Sequence, residues 1–266
     1  MIYFLTSQPL WISGAIIIGL GTALAMLGPT VVRRHVALDR LTANNEIAGF
    51  KYATLGVLYA VLLGFAIIVV WQKFSDAEAD VVQEAGAATT IYRLSQGLGD
   101  KAGADIRGAV TSYLKAAIAD DWPAMDIGVT GASRSARQAL DAIYTTLLTS
   151  GVAAQASNPV MSELLHQLDL ITQARRSRLI ASEGSVPSVI WLVLLGGAVV
   201  TIVFTFFFGT RNLRAQTMMT GLLALLIFSE LLIIVAIDRP FTGTVKVEPV
   251  PLADVLAEFQ SEGGER

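Results

Sequence analysis

Few side chains in this sequence are of a type and spacing that could do chemistry. His35 and His166 are its two histidines, and it has no cysteine. That excludes a multi-histidine or thiolate metal centre, an Fe–S site, a cysteine nucleophile and a disulfide framework. Acids occur together as Asp120-Asp121 and as Asp76, Glu78 and Asp80. Paired carboxylates can do acid–base work when held in a cleft, but their surroundings here read as a solvated turn and a solvated helix face. His166, among Leu164, Leu165 and Leu168, reads as a helix-surface or core histidine. His35 reads as an interfacial residue in a basic loop. No GxSxG, Walker A, HExxH or strand–helix glycine cluster is present. The expected catalytic set, metal set and cofactor are therefore none.

Two other features carry more information. Glu230 stands alone among apolar residues, and an acid at the centre of a membrane helix costs about 2.5–3.5 kcal/mol on insertion scales, so it should face protein or water. It can sit in an ion pathway, or be neutral and hydrogen-bonded to Thr201, Thr205 or Ser229. Val57, Val61 and Phe65 are spaced four apart and share a helix face that Ile68 and Gln72 continue. Around an oligomer axis they would form apolar rings, which can gate ions by dewetting. In a lone bundle the same side chains simply meet lipid or other helices.

The elements that must position these residues follow from composition. Of 266 residues, 53% are hydrophobic and 15% charged, with a mean hydropathy of +0.59. Soluble domains carry about 25% charged residues, and here the deficit is concentrated in long uncharged runs. About 20 apolar residues span a bilayer as helix, and four stretches suffice: about 9–32, 52–72, 187–209 and 217–237. Backbone groups in lipid must be satisfied internally, so β-branched runs become helix there; no alternating barrel pattern is visible. Ala23-Leu24-Ala25 mimics a signal cleavage site, but no Lys or Arg precedes Arg33, so the first stretch is expected to stay as a helix. The expected fold class is an all-α integral membrane protein with a helical extramembrane domain between helices 2 and 3. Its parts are 1–72 (two spans), 73–183 (polar domain), 184–237 (two spans) and a polar tail, 238–266.

Within the polar domain, Phe74, Val81, Ala85, Ala88, Tyr92 and Leu98 recur at helical spacing, with Asp76, Glu78, Asp80 and Glu84 mostly between them. No Pro or Gly separates them from the second span, which predicts one long helix ended by Gly97, Gly99 and Gly103. Further helices are expected over about 104–119, stopped before Pro123, over 133–149, and from Ser157-Asn158-Pro159 to the arginines at 175, 176 and 178. The short loops carry Arg33, Arg34, Arg40, Lys51, Arg211 and Arg214. The positive-inside rule would place them in the cytoplasm, while Lys73, Arg175, Arg176 and Arg178 oppose it from the domain side. A net charge of −3 suggests no nucleic-acid partner.

Two segments resemble a known family. They are Val57 to Phe65 continuing through Trp71–Ala77 to Glu84-Ala85, and Ile237-Asp238-Arg239-Pro240-Phe241-Thr242-Gly243. With the order of two spans, helical domain, two spans and tail, they resemble the bacterial bestrophin-like family, distantly similar to the bestrophin ion channels. The resemblance implies a homo-oligomer, a pentamer in bestrophins, whose second span lines a pore for small ions. It implies a neck at Val57, Val61 and Phe65, a helix exit at Lys73-Phe74, and a junction at Asp238, Pro240, Phe241 and Gly243 beside the domain. The acidic calcium clasp of animal bestrophins is missing, since Val245-Lys246-Val247-Glu248 follows the junction. Two neck positions are Val where bestrophins have aromatics. The other reading open to the sequence is a sensor or scaffold, in which the spans only anchor the domain in the bilayer.

Overall fold

In a computed structural model, residues 10–129, 131, 133–149 and 158–264 are described, and these contain helices and no strand. The positions Pro9 and Ser157, named above as a span start and a helix cap, lie outside them. The first span, α1, joins Leu10–Gly14, a π-helical stretch Ala15–Leu20 and Gly21–His35. Then follow α2 (Leu38–Thr42), α3 (Asn45–Ser95), α4 (Asp100–Ala116), α5 (Trp122–Asp126), α6 (Arg134–Thr149) and α7 (Asn158–Ala181). The chain closes with α8 (Ser188–Phe206), α9 (Leu213–Ile237) and α10 (Val250–Gly264). Four helices are long and apolar enough to cross a membrane: α1, α3, α8 and α9.

Two compact units result, one of Met1–Gln72, Ser185–Asp238 and Gly243–Val245, the other of Lys73–Gly184, Arg239–Thr242 and Lys246–Arg266. In the first, α9 packs against α1 and α8. Small residues let these backbones approach, as is usual in membranes. A Cβ at Gly197 would stand 2.5 Å from the Tyr59 ring, and one at Gly28 would overlap the Phe206 ring. Tyr52, Phe204 and Phe208 cluster with ring centroids 5.6–6.0 Å apart, Tyr52 stacked on Phe204 and edge-on to Phe208.

The second unit is a soluble-type helical core. Val81, Ile91, Ile106, Val110, Leu114, Ile143, Leu147, Leu164, Leu168 and Ile171 are all fully buried, as amphipathic spacing requires. Gly97 and Gly99 do follow the end of the 51-residue α3, whereas Gly103, expected with them, lies inside α4. Before Pro123 the chain does not stop. Instead α4 widens into a π-helical stretch, Ala117–Asp121, and Pro123 occupies the first turn of α5, with Trp122 still helical at φ −60° and ψ −52°. A first turn has spare N–H groups, so Pro is tolerated there, and the wider turn makes room for its ring.

Candidate functional site

The first-unit stretch of α3 has a packed face and an open one. Tyr59, Leu63 and Val70 are buried, and the Tyr59 hydroxyl donates to the carbonyl of Leu194 on α8 at 2.9 Å. At 3.6 residues per turn, Val57, Val61 and Phe65 lie about 160–240° round the helix from Tyr59. They are 64%, 51% and 65% exposed, and Ile68 continues the strip at 59%. Leu58 and Trp71, on the flanks of that strip, are as exposed as its centre. Among the described residues no side chain lies over these three, and they stand together on an open apolar face.

Glu230, half-buried on α9, borders the stripe of Ile227, Leu231 and Ile234 that packs inward. None of the three hydroxyls that the sequence offers it is hydrogen-bonded to it. Thr205 bonds Ile202 and Thr220, Ser229 bonds Leu225 one turn back, and Thr201 Oγ1 has no hydrogen-bond partner among the described residues. At the other end of α9, Asp238 is buried and one carboxylate oxygen accepts from Ser185 N, Ser185 Oγ and Val186 N at 2.9–3.1 Å. It thereby satisfies backbone donors of the turn that leads into α8.

In the second unit, Lys73 is exposed and Phe74 is buried. Deeper in, the structure assembles a network that the sequence did not suggest. Arg178 has no exposed surface, and its Nε and Nη2 donate to the two oxygens of Glu84 at 2.9 and 3.1 Å. Nη2 also reaches Asp121 at 3.4 Å, and the guanidinium lies 4.2 Å over the Trp122 ring. Arg175 donates to both oxygens of Asp121 at 2.9 and 3.3 Å, sharing Oδ2 with Arg178, Ser133 N donates to Asp121 Oδ1 at 3.0 Å, and Tyr113 donates to Glu84 at 2.5 Å. Burial alone would raise the Asp121 carboxyl, but hydrogen bonds from Arg175 and Ser133 and the charges of both arginines outweigh it and lower the pKa. Burial, and then the Glu84 charge, push the Tyr113 phenol well up, so it stays a neutral donor.

Two expectations are corrected here. Asp121 is not part of a solvated turn, although its neighbour Asp120 is exposed and bonded to Ser135. Glu84, expected with Asp76, Glu78 and Asp80 to fall mostly between the apolar positions of its helix, is wholly buried. The missed signal is that Glu84 sits three residues from buried Val81, in the same stripe as Ala77 and Ala88. His166 is exposed, as is His35, whose ring lies 3.0 Å from the Val31 carbonyl. Among the described residues no group of three or more His, Cys, Asp or Glu could hold a metal.

Of the junction after α9, Pro240 and Phe241 belong to the second unit. Phe241 is 1% exposed and meets Trp122 edge-on at 6.0 Å, and the Pro240 carbonyl accepts from Val247 N at 2.6 Å. Gly243 adopts φ 91°, a left-handed conformation that a side chain would strain.

A family model described as Bestrophin-like domain matches residues 19–252. No curated protein matches the sequence. Among solved structures, a bacterial bestrophin homologue from Klebsiella pneumoniae, phased on zinc, aligns with TM-score 0.67 at 16% identity, covering 93% of this chain and 98% of its own. A variant of a Klebsiella pneumoniae bestrophin homologue aligns with TM-score 0.71 at 13% identity, over 93% and 99% of the two chains. At these identities the likeness is one of fold.

Proposed function

The chain belongs to the Bestrophin-like family, and from that premise we propose that it assembles as a homo-oligomer and conducts small ions passively. The neck is formed by Val57, Val61 and Phe65 of each copy, and no enzymatic step is involved. The supporting observation is the open face of α3. Its apolar strip has no covering element among the described residues, while the opposite face is held by buried Tyr59, Leu63 and Val70. A ring of such faces gives a constriction that sheds water and passes ions only when it wets. The protein resides in a bacterial inner membrane, and the copy number is five, as in bestrophins.

Because the chain has no cysteine, the test is clean. Single Val57→Cys, Val61→Cys and Phe65→Cys variants in liposomes should react with a membrane-impermeant thiol reagent and block ion flux on reaction. Leu58→Cys, as exposed in one chain, should not. Equal inertness at all four positions would place the strip against lipid. A native mass of a monomer or dimer in both detergent and nanodiscs would rule out the ring.

A further inference from the structure

We infer that the cleft between the end of α1 and the start of α9 is a binding site for the headgroup phosphate of an anionic phospholipid. The cleft has a volume of about 850 Å³ and is lined by Thr30 of α1 and by Arg211, Asn212, Arg214, Thr217 and Met218. That is within the range of small-ligand sites, roughly 300–1,000 Å³. Arg211 and Arg214 are exposed, and neither forms an ion pair with a described residue. Two unneutralised guanidiniums on one wall are a natural fork for phosphate oxygens.

The wall that carries them is fixed. Asn45 exchanges two hydrogen bonds with Gly209, at 2.6 and 2.9 Å, and Arg33 donates to the Thr210 carbonyl at 2.9 Å. Asn212 caps α9 by accepting from Ala215 N, and Gln216 donates to the Phe208 carbonyl at 2.5 Å. The loop is thus preorganised, which lowers the entropic cost of binding.

A lipid, and not a free anion, is the occupant that the surroundings fit. This end of the first unit carries Arg33, Arg34, Arg40, Lys51, Arg211 and Arg214 against Asp39 and Glu46. The cleft opens beside an exposed apolar strip, with Met218, Met219 and Leu222 on α9 (61–66% exposed) and Leu27 and Val31 on α1. Basic pockets between membrane helices recognise anionic headgroups in this way, and the strip offers a bed for acyl chains.

The test is native mass spectrometry of the full chain, released from detergent with equal amounts of dioleoyl phosphatidylglycerol or dioleoyl phosphatidylcholine. The wild type should retain the anionic lipid preferentially. Arg211→Gln with Arg214→Gln should cut that preference by about thirty-fold, taking the contribution of each arginine near an anionic surface. Arg211→Lys with Arg214→Lys should keep most of it. Met218→Trp, an exposed change that fills the cleft without altering charge, should also abolish it. The proposal is overturned if the Gln pair or Met218→Trp binds like the wild type. It is equally overturned if Arg34→Gln, outside the cleft, is as damaging as the Gln pair, or if millimolar inorganic phosphate strips the lipid completely, which would mark a free-anion site. None of these readouts depends on ion conduction.

Discussion

Replacing Arg178 by Met should destabilise the helical domain more than any exposed substitution. Arg178 and Glu84 are both fully buried, joined at 2.9 and 3.1 Å, and Asp121 lies 3.4 Å away. Met fills part of the volume but leaves Glu84 with Tyr113 as its one remaining donor among the described residues, and Asp121 with Arg175 and Ser133. Breaking a buried pair from one side costs about 3–5 kcal/mol, since the surviving charge loses its compensation. The lost contact over Trp122 adds up to about 2 kcal/mol when desolvated. With about 2–4 °C per kcal/mol for a domain of this size, the melting temperature should fall by roughly 6–28 °C. Removing both charges together, as Glu84→Leu with Arg178→Met, should recover at least about 2 kcal/mol of the loss, because no orphan charge remains. The assay is thermal unfolding of the full chain in detergent by tryptophan fluorescence, at one scan rate because such unfolding is commonly irreversible. A melting point within about 3 °C of wild type for Arg178→Met, or a double variant as unstable as the sum of the singles, would refute the reasoning.

Asp121 makes the same network sensitive to acid. Its folded carboxyl is held below the ordinary value of 3.8, so its contribution is full above that value and is lost as pH falls through the folded pKa. The melting point should therefore hold from neutral pH down to about 4 and then drop, whereas Asp121→Asn should start lower and show a shallower acid limb. Equal acid slopes in the two proteins would contradict this. In the membrane unit, Tyr59→Phe removes the bond to the Leu194 carbonyl and should cost about 0.6–1 kcal/mol. Gly197→Val places a side chain where the Tyr59 ring already stands and should cost more, about 1–3 kcal/mol. If melting in detergent ranks the two the other way, the α3–α8 contact is not packed as described.

What could be read from the chain, and what could not, divides along a physical line. A membrane helix is a local property: twenty uncharged residues suffice, and the four spans and all-α class follow from it. The amphipathic helices of the domain are nearly as local, since Val81, Ala85 and Ala88 mark their own buried face. Burial of a charge is not local. Glu84 and Arg178 are 94 positions apart in sequence, and each, seen in its own helix, looks like a polar residue next to the core stripe. Only the partner makes its burial affordable to the fold, and periodicity says nothing of partners. The strip at Val57, Val61 and Phe65 poses the inverse problem. Its spacing is plain in the sequence and its exposure plain in one chain, but both are shared by Leu58 and Trp71, so the site is defined by what copies of the chain do together.

The network also changes how the charges along the chain are counted. Lys73, Arg175, Arg176 and Arg178 together weigh against the two basic loops when cations near the span ends are tallied. Arg175 and Arg178 are 5% and 0% exposed and committed to Asp121 and Glu84, so they present no free charge to a membrane surface. Lys73 and Arg176 remain exposed on that side. In the loops, by contrast, Arg34, Arg40, Arg211 and Arg214 are all exposed, and none forms an ion pair with a described residue. Within the membrane unit the free positive charge is therefore concentrated at the end of the bundle where α1 meets α9. That concentration is what makes an anionic lipid, and not the pore, the first ligand to look for there.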